Sequence, residues 1–204
     1  MSGTIIRQET SQDYKETEQV IREAFWDVYR PGCSEHFVLH NIRTAPAFIK
    51  ALDLVACDGN TIVGSIICPE GKIINEQHEE CIALSMMVGV IPSYQGKGIG
   101  SMLIKRAIET AASLGYKGIV IFGNPNYYAR FGFVNAEAYG IQTPDGQNFD
   151  FFMALELSEN SLKGMQGRFY DDPLFQPSSD SAELELFDSQ FPHKEKHITD
   201  TQLT

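Results

Sequence analysis

The six residues Gln95-Gly96-Lys97-Gly98-Ile99-Gly100 have the types and spacing that most directly suggest chemistry. Alternating glycines let the backbone turn sharply and bare its N–H groups. Immediately downstream Ile99, Leu103, Ala107 and Ala111 recur every four residues, with Met102, Ile104 and Ile108 beside them. That period predicts a helix with one apolar face, and Gly115 is a natural stop. Bare N–H groups at the positive end of a helix favour an anion such as phosphate. Two related loops do not fit. A nucleotide-triphosphate loop needs Gly-Lys followed by Ser or Thr, but Gly98 follows Lys97; a dinucleotide fingerprint needs G-x-G-x-x-G, but the pattern is G-x-G-x-G. On the glycines alone, a turn that binds nothing is an equal reading.

The elements around the loop give it a frame. Upstream, Ile82 to Pro92 reads as one long buried strand. Gly89 inside it marks either a bulge, whose free backbone groups can pair with an amide-bearing ligand, or a close fit to a neighbouring side chain. Further strands are expected at Ile5–Glu9, at Leu52–Cys57 and Thr61–Cys68 around the hairpin signature Asp58-Gly59-Asn60, at Lys117–Phe122, and at the alternating run from Phe149 to Leu157. A capping box at Thr10–Asp13 and the period of Val20, Ile21, Ala24, Phe25 and Val28 predict a first helix, and Ser34 can cap a second. The order β-α-α-β-β-β-α-β-α-β contains one β-α-β crossover among hairpins, so the fold class is mixed α/β with a mostly antiparallel sheet.

Composition narrows the setting. The chain has 204 residues, 43% of them hydrophobic, enough for one domain with a substantial core. A domain over residues 1–160 and an acidic, partly irregular extension over 161–204, loosely ordered at its end, is the expected division. The net charge of −11 disfavours nucleic acid as a partner but permits a small anion at a local positive site. No run is long enough to span a bilayer, and Met1–Thr4 has no signal character, so a cytoplasmic protein without a membrane partner is expected. Cys33, Cys57, Cys68 and Cys81 form no C-x-x-C pair, and the four-residue spacings His36/His40 and His193/His197 lack the Glu of a zinc motif. No metal is expected.

With these elements in place the sequence resembles the GNAT superfamily, the GCN5-related N-acetyltransferases. Gln95 to Gly100 matches the family loop R/Q-x-x-G-x-G/A, and Val88-Gly89-Val90-Ile91-Pro92 is similar to the strand before it. Asn124-Pro125-Asn126-Tyr127-Tyr128-Ala129-Arg130-Phe131-Gly132-Phe133 resembles the second family signature, in which a tyrosine stands four residues before Gly-Phe, and it is similar to the YhbS-like branch. The resemblance covers roughly residues 4 to 160. It implies a GNAT-type twisted sheet with helices on both faces and acetyl-CoA as cosubstrate.

The resemblance also implies roles for individual residues. Gln95, Gly96, Lys97, Gly98, Ile99, Gly100 and Ser101 would hold the pyrophosphate. Val88 and Val90 would pair with the pantetheine arm, the Val90 amide also polarising the thioester. Asn124 would bond the ligand's amides. Tyr128 would protonate the departing thiolate, a phenol of pKa about 10 serving a thiol of about 8.5; Tyr127 is then expected as an aromatic core residue. A primary amine acceptor, small or protein-borne, must lose a proton before attack. Glu80 is taken as that base, with Glu79, Glu35 and His36 as other candidates, and the region Pro31–Phe48 is expected to grip the acceptor. A non-catalytic acyl-CoA sensor or scaffold is the alternative, and homodimerisation is left open.

Overall fold

The computed structural model describes residues 3–176 and 181–202. In chain order the elements are β1 (Ile5–Gln8), α1 (Tyr14–Phe25), α2 (Glu35–Ile42), β2 (Asp53–Asp58), β3 (Thr61–Ile67), β4 (Glu70–Ile74), β5 (Glu80–Leu84), β6 (Met87–Val90), α3 (Ile99–Ser113), β7 (Gly118–Phe122), α4 (Pro125–Tyr128), β8 (Val134–Asn135), β9 (Ile141–Gln142), β10 (Phe152–Glu156), β11 (Gly167–Tyr170) and α5 (Ala182–Asp188). Among these residues no helix is long and apolar enough to cross a membrane.

The mixed α/β architecture has two sheets. One has the order β1-β2-β3-β6, the other β8-β10-β7-β5-β4-β11-β9. The single strand expected from Ile82 to Pro92 is therefore two strands in two sheets: β5 lies between β4 and β7, and after Ser85-Met86 the chain becomes β6 and pairs with β3 instead. Helix α3 completes a parallel crossover from the strand pair β5–β6 to β7, and packs Leu103, Ile104, Ala107 and Ala111 against both sheets together with Leu54, Ile66, Leu84 and Ile119. Helices α1 and α2 cover the other face of the first sheet through Ile21, Leu39, Ile42, Ile67 and Met87.

One open reading is decided and two local expectations are corrected. Gly89 is not a bulge: β6 and β3 pair in unbroken register from Met87 to Val90. A Cβ at Gly89 would stand 2.7 Å from Ile21 Cδ1 and 3.0 Å from Ala24 Cβ, so the glycine is there to let α1 lie close to the strand. The run Phe149–Leu157 becomes a strand only from Phe152; Phe149 and Phe151 stack on each other at the surface, ring centroids 5.1 Å apart. The last described residues are held rather than loose. Thr199 Oγ1 and Gln202 Nε2 donate to the Asp27 carbonyl, and the Trp26 indole donates to the Glu195 carbonyl. Within the same segment Asp188 of α5 accepts from the buried Arg22 guanidinium at 2.6 and 3.1 Å, and β11 joins the second sheet.

A second buried charge network ties β1, α2 and β2 together. Arg43 donates to both Glu9 and Glu18. Asp53 beside Glu9 is buried without a cation of its own, and burial first, then a proton shared with Glu9, pushes its carboxyl up to about 9. The folded protein thus keeps a proton that the unfolded chain releases above a pH of about 4, and stability from this site falls as pH rises from there towards 9, by up to about 1.4 kcal/mol per pH unit. Asp53→Asn should flatten that decline, read as the difference between urea midpoints at pH 5 and pH 8; an unchanged difference contradicts the shared proton.

Candidate active site

Where the chain changes sheets, two parallel strands are forced apart. Leu84 pairs with Ile119, and beyond it β6 follows the first sheet while β7 stays in the second. The phase of the flanking ladders shows what lines the gap. Ile91 N–H donates to the Val63 carbonyl at 3.1 Å, so the alternation of an antiparallel pair turns the backbone groups of Val88 and Val90 away from β3 and into the gap. Gly123 N–H donates to the Phe151 carbonyl at 2.8 Å, which by the same alternation turns Val120 and Phe122 away from β10 and towards β6. The result is a wedge-shaped cleft with strand backbone on both walls.

The glycine loop closes one end of this cleft. Gly96 and Gly98 have φ of +74° and +83°, with open space where a Cβ would be, so backbone conformation, not crowding, requires glycine at both. Gly98 is the N-cap of α3 and no side chain caps it. The N–H groups of Ile99, Gly100 and Ser101 therefore open the helix without a protein acceptor, and its dipole adds positive potential there. Lys97 lies over the Tyr94 ring, its Nζ 4.3 Å from the centroid, which keeps a cation beside the loop. Gln95 has a different part from its neighbours: its Nε2 donates to the Val90 carbonyl at 2.9 Å, tying the loop back to β6 and leaving the Val90 N–H directed into the cleft.

The second signature forms the opposite rim. Asn124 caps α4, its side-chain oxygen accepting from Asn126 N–H at 3.0 Å, so its Nδ2 is the group available to a ligand. Tyr128 stands edge-on to Tyr127 and to Phe133, centroids 5.1 and 5.6 Å away. Burial raises its phenol well above the usual range, with Tyr127, Tyr29 and Cys68 adding in the same direction, so it remains a proton donor throughout neutral pH. Tyr127 is not a plain core residue. It packs against the core, yet its hydroxyl reaches the first turn of α3, 3.0 Å from where a Cβ on Gly100 would stand, which explains the glycine at 100.

The four candidate bases fare differently. Glu80 is not brought to the cleft: it begins β5, pairs with Lys72 at 2.7 Å and is half exposed. Glu79 accepts from Asn75 in the adjoining turn. His36 is fully buried between Cys33 and Asp188, and burial lowers it to about 4. Glu35 accepts from Ser34 N–H at 2.9 Å and is raised by burial; it lies near Tyr29, which in turn lies near Tyr128. Tyr29, in the α1–α2 connection, carried no sequence signal; only its fold neighbours bring it to this rim.

A family model described as Acetyltransferase (GNAT) domain matches residues 51–135, from β2 through β8. The uncharacterized N-acetyltransferase YjhQ of Escherichia coli (strain K12) is 32% identical over 83 residues, 41% of this chain and 46% of that protein. The uncharacterized N-acetyltransferase YhbS of the same strain is 27% identical over 85 residues, 39% and 51% of the two chains. The chain thus spans about half the length of the curated relatives it matches. Two solved structures superpose over more of it. The E. coli YhbS complex with CoA has a TM-score of 0.76 at 22% identity, covering 86% of this chain and 93% of that one. A Brucella melitensis GNAT acetyltransferase in complex with acetyl-CoA has a TM-score of 0.70 at 27% identity, covering 86% and 100%. Residues 51–135 thus match the GNAT acetyltransferase family, and the chain is similar to N-acetyltransferases of the YhbS kind.

The position of Tyr128 depends on Gly123. A Cβ there would stand 2.4 Å from Cε2 of the Tyr128 ring. Gly123→Ala should displace the ring and cost about 1–3 kcal/mol of stability, as overpacking does, measurable by urea denaturation with the tyrosine near-UV circular dichroism changing in parallel. An unchanged spectrum and midpoint contradict this packing.

Proposed function

We propose that this protein transfers the acetyl group of acetyl-CoA directly to a primary amine. The observation that carries the reading is the backbone-walled cleft that runs from the uncapped start of α3 to the half-buried Tyr128 phenol. The acetyl-CoA complex of the Brucella melitensis relative, at 27% identity, supports the choice of cosubstrate.

The residues fit that cosubstrate part by part. Amides from Lys97 to Ser101, with the Lys97 ammonium nearby, suit a pyrophosphate. The outward-turned groups of Val90, next to the loop, suit the amides of a pantetheine arm, and Asn124 Nδ2 is a further donor. Because the thioester follows the arm, it falls beyond Val90 and beside the Val88 N–H, and a preorganised donor where its oxygen gains charge lowers the barrier. The amine nitrogen forms the C–N bond, the C–S bond breaks, and the sulfur takes the Tyr128 proton. In water a thiolate of pKa about 8.5 would take little from a buried phenol. The same dry surroundings also raise thiols, as burial does to Cys68 next to this site, and so restore the match between donor and acceptor. Four free thiols support a reducing compartment such as the cytoplasm as the setting of this reaction.

Acetyl-CoA should raise the melting temperature of the wild type. Tyr128→Phe should keep that shift while lowering kcat for thiol release across a panel of primary amines by about 10²-fold. A shift without thiol release from the wild type would instead favour an acyl-CoA sensor, and absence of any shift would contradict both.

A further inference from the structure

Aromatic side chains left exposed in this protein are not scattered. Among the described residues they are Tyr29, Phe122, Phe149 and Phe151. Phe151 joins the other two phenylalanines into one patch. Its ring centroid is 6.2 Å from that of Phe122 and 5.1 Å from that of Phe149, on which it stacks. Tyr29 lies beside Phe25, centroids 6.1 Å apart.

Both groups border the cleft, and on the same face of it. Strand alternation turns Ile119 and Ile121 into the core beneath α3, and Val120 and Phe122 to the opposite face. Phe122 rests there on the buried Phe152, 4.8 Å away. Its level along the cleft follows from the Leu84–Ile119 pair: three residues further on, Phe122 stands level with Met87, one residue short of Val88. On the other wall Phe25 covers the face of β6 turned away from α3, its Cε2 3.2 Å from where a Cβ on Gly89 would stand. Tyr29 is close enough to Tyr128 to help raise its phenol. The opening away from α3 thus has an aromatic border on each side, at the level of the Val88 N–H.

Area and position say what covers these rings. Three half-exposed phenylalanines offer about 300 Å² of apolar surface, well short of the roughly 800 Å² that each partner buries in a stable protein interface. A patch of that size suits a small molecule. Helix α3 covers the opposite face, and the glycine loop closes one end of the cleft. An acceptor therefore enters past the phenylalanines. A polyamine or an aminoglycoside carries charges or hydroxyls along its whole length and would strand them against the rings. An apolar skeleton of aromatic size buries surface there instead.

We propose that the acceptor is an arylalkylamine, a primary amine on a short apolar chain that ends in an aromatic ring, and that Phe122, Phe149 and Phe151 are the surface that selects it. This rests on the acetyl-transfer reading and names its substrate class. The acceptor ring packs offset or edge-on against the phenylalanines. Its amine nitrogen points between β6 and β7, towards the thioester beside Val88.

The test measures acetyl transfer from acetyl-CoA to phenethylamine, ethylamine and spermidine, by wild type and by the double variant Phe149→Ala/Phe151→Ala. For wild type, kcat/KM with phenethylamine should exceed that with ethylamine by about 30-fold, as burial of one ring gives, and spermidine should do no better than ethylamine. The double variant should lose about 10-fold of the phenethylamine value through KM, with ethylamine held within a few-fold and the acetyl-CoA melting shift kept. Phe149→Ala alone should show a smaller loss of the same kind and serves if the double variant does not fold. Equal losses with phenethylamine and ethylamine, or a wild type that prefers spermidine, overturn the assignment and leave the transfer reading standing. So does a wild type that sediments as a dimer while the double variant sediments as a monomer with unchanged kinetics, which gives the patch to a second copy. A wild type that acetylates none of these amines contradicts the transfer reading, and this inference falls with it.

Discussion

A β-strand that leaves one sheet for another must abandon one set of hydrogen-bond partners before it has gained the next. Between Leu84 and Met87 this chain does so in the middle of its core. Backbone groups of Val88, Val90 and Phe122 are left facing one another across a gap that neither strand can close. Unpaired backbone within a packed domain is costly, and a fold retains it where another molecule supplies the partners. The two sheets, the crossover helix and the glycine loop are arranged around this gap. Helix α3 packs on both sheets and so fixes its own N-terminus at the mouth of the cleft.

Glycines tune that arrangement by two separate means. Gly96 and Gly98 supply positive φ with nothing crowding them, so the loop can expose its amides. Gly89, Gly100 and Gly123 act by leaving out a side chain. They make room respectively for α1, for the Tyr127 hydroxyl and for the Tyr128 ring. Both tyrosines of the second signature are thus seated by missing atoms on neighbouring elements. The burial that seats Tyr128 also holds its proton, so packing and proton donation have one physical origin.

The loop, its helix and the Tyr128 segment were legible because their signals are local: glycine spacing, a four-residue apolar period, a tyrosine at a fixed distance from Gly-Phe. The change of sheet was not legible. The run from Ile82 to Val90 is apolar but for Ser85, so composition reads it as one strand, and only competition between β3 and β7 for partners divides it. Gly89 was ambiguous for the same reason, since a bulge and a close helix both call for glycine. Strand β4 was missed because Glu70, Gly71 and Lys72 are poor strand formers that two flanking strands nonetheless hold in register. Glu80 was attractive by its place in sequence, yet it lies at the start of β5, four residues before Leu84, or about 13 Å along the strand.

The central claim is that the backbone of this cleft is the binding surface. Amide nitrogen–hydrogen NMR spectra recorded while CoA is added test it directly. The account predicts large shifts for Val88, Val90 and Lys97 through Ser101, slower exchange at the two valines, and little change in α5. Binding of CoA that leaves those amides unmoved while shifting others would contradict it.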